Sequence, residues 1–239
     1  MKTIIIFLML FLISFSFNGC IKTNITSKNN DIQGSKVTNE VRNAIPYQEY
    51  DNILISVLNN EKPFINAKDE TVYLKNYKPL SKYPEDTDYF EGENVFVPSK
   101  YAFVDLDKDG QNELVISELP DGDAYLILHK SKDKIYGYSL YVRWFESLKA
   151  DGTFRASGGA LTHNYNTIAF DESKYNISTF AKFHFVVDEE RPSSNKYGFE
   201  PNYDKSVFEI DGKKVPFKKI VEFEEEWKNR PDVDWIKLK

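Results

Sequence analysis

Apolar residues recur along this chain with two periods, one near 3.6 close to its ends and one of 2 in between. Tyr50, Ile53, Leu54, Val57 and Leu58 fall at i, i+3, i+4, i+7 and i+8, which is one face of an amphipathic helix. Pro46 suits the first turn of that helix, and Asn59-Asn60 suits its end. Phe217, Ile220, Val221 and Trp227 mark a second helix, opened by Pro216 and closed by Pro231.

Between the helices the pattern is β. Residues 71–74 read as a short strand, residues 79–94 as a loop, and residues 101–106 and 113–119 as strands on either side of an acidic loop. Pro120-Asp121-Gly122-Asp123 is a turn signal. Residues 124–129 and 135–144 then form a hairpin, with Tyr136, Tyr138, Leu140, Val142 and Trp144 sharing a core face. Asp151-Gly152 joins strands at 147–149 and 153–157, and Asp211-Gly212 joins strands at 207–210 and 214–215. Residues 167–170 and 175–179 flank a further turn. Phe183, Phe185 and Val187 point inward and leave His184 on the opposite face. Residues 233–238 add a last strand. Many short strands joined by tight turns predict an α+β domain, mainly an antiparallel β-meander, with an N-terminal and a C-terminal amphipathic helix packed on the sheet. No internal repeat of the acidic loop is present, which argues against a propeller built from like blades.

The start of the chain follows neither period. Residues 4–17 are apolar apart from Ser14 and Ser16, after a positive Met1-Lys2. That run has the length of a signal-peptide core and falls short of the ~20 residues a spanning helix needs. It ends at Gly19-Cys20, which resembles the lipobox of bacterial lipoproteins; in that family the cysteine is diacylated and becomes the new N-terminus. Two acyl chains hold a protein at a membrane where one is marginal. Residues 21–43 are rich in Asn, Thr, Ser and Lys and carry no period, as a flexible tether does. A coil of this length reaches roughly 25 Å. The expected organisation is therefore a signal peptide over 1–19, a lipidated Cys20 with its tether over 20–44, and one domain over 45–239. The expected location is the extracytoplasmic face of the cell membrane, with a lipid anchor at Cys20.

Composition narrows the chemistry. Cys20 is the one cysteine, so once lipidated it leaves no thiol for a nucleophile, a disulfide or a zinc cluster. A formal net charge of −6 gives no electrostatic basis for binding nucleic acid. Aromatic residues reach 15%, which favours strands.

The densest chemical signal is Asp105-Leu106-Asp107-Lys108-Asp109-Gly110-Gln111-Asn112-Glu113. Carboxylates stand at relative positions 1, 3, 5 and 9, with a glycine at 6 for the bend. Hard cations such as Ca²⁺ take six to eight oxygen ligands, and this spacing supplies them from one turn of chain. The expected donors are the side chains of Asp105, Asp107, Asp109 and Glu113 and the main-chain carbonyl of Gln111, around one structural Ca²⁺. An EF-hand also needs flanking helices and a glutamate at position 12, where this chain has Ile116 between strands. Strand, DxDxDG and strand instead resemble the calcium loops of FG-GAP and VCBS-type repeats of extracellular β proteins. The wider chain resembles a group of uncharacterised lipoproteins and secreted proteins of Gram-positive bacteria. The shared features are the leading helix, the run 101–110, Tyr125-Leu126-Ile127-Leu128, Asp151-Gly152-Thr153-Phe154, Ser157-Gly158-Gly159, Asp211-Gly212-Lys213 and Pro231-Asp232-Val233-Asp234-Trp235. That resemblance implies metal ligands at the loop and no particular activity.

Other constellations are weaker. His129 and His184 read as polar-face strand residues, and His163 lies in a loop with a functional look. No metal-binding histidine pair, nucleophile elbow, P-loop or dinucleotide fingerprint occurs, and no residue is singled out as catalytic. Glu224-Glu225-Glu226 reads as a solvated helix face. Tyr125, Tyr141 and Trp235 read as core rather than as a binding platform. The expected function is a lipid-anchored extracytoplasmic binding or interaction protein, whose partner is an extracellular ligand or protein. The alternative is a cell-surface hydrolase acting on glycan or peptide through paired carboxylates, whose mark would be two acids in a cleft with raised pKa values.

Overall fold

The computed structural model describes residues 52–81, 90–92, 94–118, 124–188 and 200–238. All of them belong to the second of two units into which the chain divides, Lys36–Lys239; the first, Met1–Ser35, holds none of them. The signal peptide, Cys20, the tether, Pro46, Tyr50 and the Pro120-Asp121-Gly122-Asp123 turn lie outside the described residues.

The elements in chain order are helix α1 (Asn52–Leu58) and strands β1 (Phe64–Ile65), β2 (Thr71–Val72), β3 (Leu80–Ser81), β4 (Phe90–Glu91), β5 (Pro98–Val104), β6 (Glu113–Glu118), β7 (Ala124–Ser131) and β8 (Lys134–Tyr141). They continue with β9 (Phe154–Gly159), β10 (Thr162–Asp171), β11 (Lys174–His184), β12 (Val187–Asp188), β13 (Glu200–Pro201), β14 (Val207–Ile210) and β15 (Lys213–Lys214). Helix α2 (Phe217–Lys228) and β16 (Ile236–Lys237) complete the order. The fold is β-rich α+β.

A first sheet has the order β16-β5-β6-β7-β8-β1-β2, and a second the order β15-β14-β11-β10-β9. Strands β5 to β8 form the expected meander. The whole is not one meander, because β1 joins β8 in parallel through Ile65 and Tyr136 and five later strands build a separate sheet. Residues 79–94, expected as a loop, contain the paired β3 and β4. Residues 142–144 form a short 3₁₀ turn rather than the end of β8. Leu74 starts a second such turn after β2.

Helix α1 buries Leu54, Val57 and Leu58 and ends where Asn60 takes a left-handed conformation at φ 60°. Those side chains share a core with Phe64, Tyr77, Tyr101, Leu114, Ile116, Leu126 and Leu128. The alternate residues of the same central strands, Ala102, Val104, Val115, Ile127 and Leu140, meet Phe145, Phe154, Ile168 and Ile177 in a second core. The first sheet is thus covered on both faces, and β6 and β7 read as continuous apolar runs for that reason.

A bulge gives the second sheet its two faces. Tyr165 pairs with Ala181 and Asn166 with Thr179, which leaves Phe180 without a partner across the ladder. The extra residue switches the parity of β11. Tyr175 and Ile177 therefore join the core against the first sheet, and Ala181 and Phe183 join a third core with Tyr165, Phe208, Ile220 and Trp227 of α2. Phe217, at the start of α2, is 36% exposed and lies against Phe185, Phe208 and Tyr203.

Candidate metal centre

Strands β5 and β6 pair in antiparallel register up to Val104 and Glu113, so Asp105–Asn112 must turn the chain within eight residues. Lys108 and Gly110 adopt positive φ of 64° and 89°, and Gly110 does so without steric cost. The aspartates shape the bend with their own side chains. Gly110 N–H donates to Asp105 Oδ2 at 3.1 Å, Asp109 N–H to Asp107 Oδ1 at 3.2 Å, and Gln111 N–H to Asp109 Oδ1 at 2.7 Å. The Gln111 side-chain amide also donates to Asp109 Oδ2 at 3.1 Å. The role expected of Gln111 therefore rests on its main-chain carbonyl alone.

Carboxylate oxygens of Asp105, Asp107 and Asp109 lie within 4.8 Å of one another. At that separation each pair of charges repels by roughly 1 to 3.5 kcal/mol, according to the effective dielectric constant. Asp105 Oδ1 is buried and has no hydrogen-bond partner. Hydrogen bonds within the turn engage Asp105 Oδ2, Asp107 Oδ1 and both oxygens of Asp109; they leave Asp105 Oδ1 without the compensation a buried polar atom needs.

The structure places Glu113 differently from its three companions. Only 1% of it is exposed, Oε2 accepts the Leu106 N–H at 2.8 Å, and Oε1 lies 3.0 Å from Nδ1 of His129. Burial pushes its carboxyl above the ordinary value; the hydrogen bonds from His129 and Leu106 oppose that, and the nearby charge of Asp107 adds to it. One Glu113 oxygen, one Asp107 oxygen and one ring nitrogen of His129 form a second triangle, again within 4.8 Å. His129 is itself buried and stacks on Phe170, with ring centroids 4.4 Å apart and planes at 14°.

The expectation that His129 sits on a polar face is thus corrected. The signal was present: Leu126-Ile127-Leu128-His129 shows no polar alternation, so β7 has no polar face to offer. Glu224 is a second correction. It accepts the Tyr165 hydroxyl at 2.7 Å, whereas Glu225 and Glu226 are exposed as expected. Tyr125 packs against Phe145 and Trp235 in the core, while Tyr141 is exposed. His163 lies on β10, not in a loop, with its ring 4.6 Å from Phe183. His184 is exposed and contacts Thr162.

A polar groove of about 500 Å³ opens beside the loop, between Asp107, Asp109 and Gln111 on one side and residues 129–132 and 170–172 on the other. Behind the loop stands Gly152, at φ 77°. A Cβ there would come within 2.8 Å of the Asp105 carbonyl oxygen. The backbone of the Asp151-Gly152 turn therefore buttresses the loop, and only glycine permits the approach. The chain matches no protein-family model, no curated protein and no solved structure.

Proposed function

We propose that this protein is a lipid-anchored, extracytoplasmic binding protein whose β5–β6 loop holds one structural Ca²⁺. Asp105 Oδ1 carries the metal half of that reading. It is a buried, unpartnered carboxylate oxygen beside two further carboxylates, and a hard cation supplies the compensation that it lacks. Asp105, Asp107 and Asp109 would be the side-chain ligands, with the Gln111 carbonyl and water. Glu113 enters as a ligand only by giving up its contact with His129. The likeness of the loop to FG-GAP and VCBS calcium loops supports the same assignment. So does the β-hairpin setting, which a bound ion would stiffen without any part in a reaction. In this reading α1 and α2 are packed covers of the two sheets, a role supported by the apolar faces they bury.

Extracellular calcium modules bind in the ~10⁻⁴–10⁻³ M range, and at ten times the dissociation constant the ion adds roughly 1.4 kcal/mol of stability. Wild type is therefore expected to melt several degrees higher in millimolar calcium than in chelator, and Asp109→Asn to lose that difference. Equal melting temperatures in wild type, with no calorimetric binding, would reduce the loop to a turn.

The anchor rests on the apolar run ending in Gly19-Cys20. Among the described residues no helix is long and apolar enough to cross a membrane. Cell fractionation with Cys20→Ala checks the anchor. The variant is expected to leave the membrane fraction, and its retention there would remove the lipid from the account.

The hydrolase alternative asks for an acid in the groove with a raised pKa. Glu113 has the raised pKa, but the burial that causes it also closes the side chain off, and both oxygens are engaged. Glu172, which does line the groove, is lowered by its hydrogen bond to Lys132. Binding is the better-supported reading.

A further inference from the structure

We infer that Asp107, Glu113 and His129 form a second metal site, sharing Asp107 with the calcium loop and suited to a borderline divalent ion such as Zn²⁺ or Co²⁺. Donor chemistry points there first. The Asp105, Asp107 and Asp109 cluster offers oxygen alone, whereas this one combines an imidazole nitrogen with two carboxylates. Imidazole favours zinc and its neighbours, while Ca²⁺ takes oxygen.

Geometry points the same way. Ligands at zinc stand ~2.0–2.2 Å from the ion, which puts neighbouring donors of a tetrahedral site about 3.3 to 3.5 Å apart. Glu113 Oε1 and His129 Nδ1 stand 3.0 Å apart, so they need to open by only about 0.3 to 0.5 Å. The third donor, a carboxylate oxygen of Asp107, lies within 4.8 Å of both and would have to turn in on binding.

Both buried donors are held in place from behind. The Leu106 N–H fixes Glu113 Oε2 and leaves Oε1 toward the histidine, and the flat stack on Phe170 fixes the imidazole plane. Such outer contacts orient metal ligands and tune them. Two carboxylates and one imidazole crowd this site within 4.8 Å. Asp107 and His129 both line the polar groove, which provides an entry path and a remaining coordination position for water or an anionic ligand. The competing description of the same atoms is a plain hydrogen bond between His129 and Glu113.

Calorimetric titration of the full chain with Zn²⁺ in calcium-free buffer, with Ca²⁺ titrated in a separate run, separates the two. Wild type is expected to bind one equivalent, and His129→Gln to bind at least about 10- to 100-fold more weakly, the loss that even an outer partner of a ligand causes. Asp105→Asn removes the calcium site alone, so it is expected to keep the Zn²⁺ affinity. Loss of calcium binding with retained Zn²⁺ binding, or the reverse, thus identifies which assignment fails. Absence of Zn²⁺ binding in wild type, or equal affinity in wild type and His129→Gln, overturns the inference. Should circular dichroism show His129→Gln unfolded, imidazole-nitrogen NMR of the wild type decides, with signals assigned through His163→Gln and His184→Gln. Zn²⁺ must shift the ring of His129; a shift confined to the other two histidines, or none, also overturns it.

Discussion

His163 shows how one side chain can tie stability to acidity. Its Nδ1 is buried without a partner beside the Phe183 ring. Burial holds the imidazole below its ordinary pKa of 6.5, Arg155 lowers it further, and Glu224 and Glu146 only partly offset this. Protonation is therefore easier in the unfolded chain than in the folded one. The stability this residue contributes is complete above about pH 6.5 and is lost as the pH falls through the lower folded value. Melting temperature against pH, compared between wild type and His163→Gln in chelator, checks the sign. The wild type is expected to fall more steeply between pH 6.5 and 5, and parallel curves would mean that the ring is solvated in both states.

At the scale of the element, the end of α2 depends on a lysine from another part of the chain. Lys149 is almost fully buried, and its ammonium donates to the carbonyls of Lys228 and Arg230, each at 3.1 Å, and to Asp232 Oδ1 at 2.7 Å. All three ammonium donors are used, one of them on the Lys228 carbonyl that the helix leaves open at its C-terminus and one on the Arg230 carbonyl just beyond it. Lys149→Met keeps an unbranched apolar side chain of similar length and removes both the donors and the ammonium that lies 5.0 Å from the Trp227 ring centroid. The expected cost is about 1.5–3 kcal/mol, read as a melting temperature several degrees lower. A change within one degree would show that water replaces the ammonium without loss.

Elements are also where the sequence was most and least informative. Asp211-Gly212 takes positive φ at both residues, as a two-residue hairpin turn requires, and joins the strands expected around it. The bend at Asp105–Asn112 could be read in the same way, because its shape comes from side chains within it. The partition into two sheets could not, because β14 pairs with β11 and β16 with β5 across long stretches of chain. Nor could the parity switch at Phe180, since one extra residue in a ladder has no period of its own. The place of His129 escapes a reading by alternation, because a strand buried on both sides has none. The mixed donor set depends on that placement, with Glu113 and His129 brought together by neighbouring strands.

Across the whole molecule, protection should be greatest at the centre of the first sheet. Strands β6 and β7 have a neighbour on each side and a core on each face. Hydrogen exchange is expected to be slowest at Leu114, Val115, Ile116, Leu126 and Ile127, at the level of global unfolding. Equally slow exchange in β14 and β15 would contradict this ranking.

The ends of the two large sheets carry a different consequence. The first sheet finishes in β16 and β2, and the second has β15 at one side, each two residues long. The other side is β9, where Glu146 and Arg155 exchange backbone hydrogen bonds and occupy part of the free edge. Stubs of this length give a foreign strand few unpaired N–H and C=O groups in a row to extend. At these four ends, copies crowded side by side find little edge through which to anneal into fibrils.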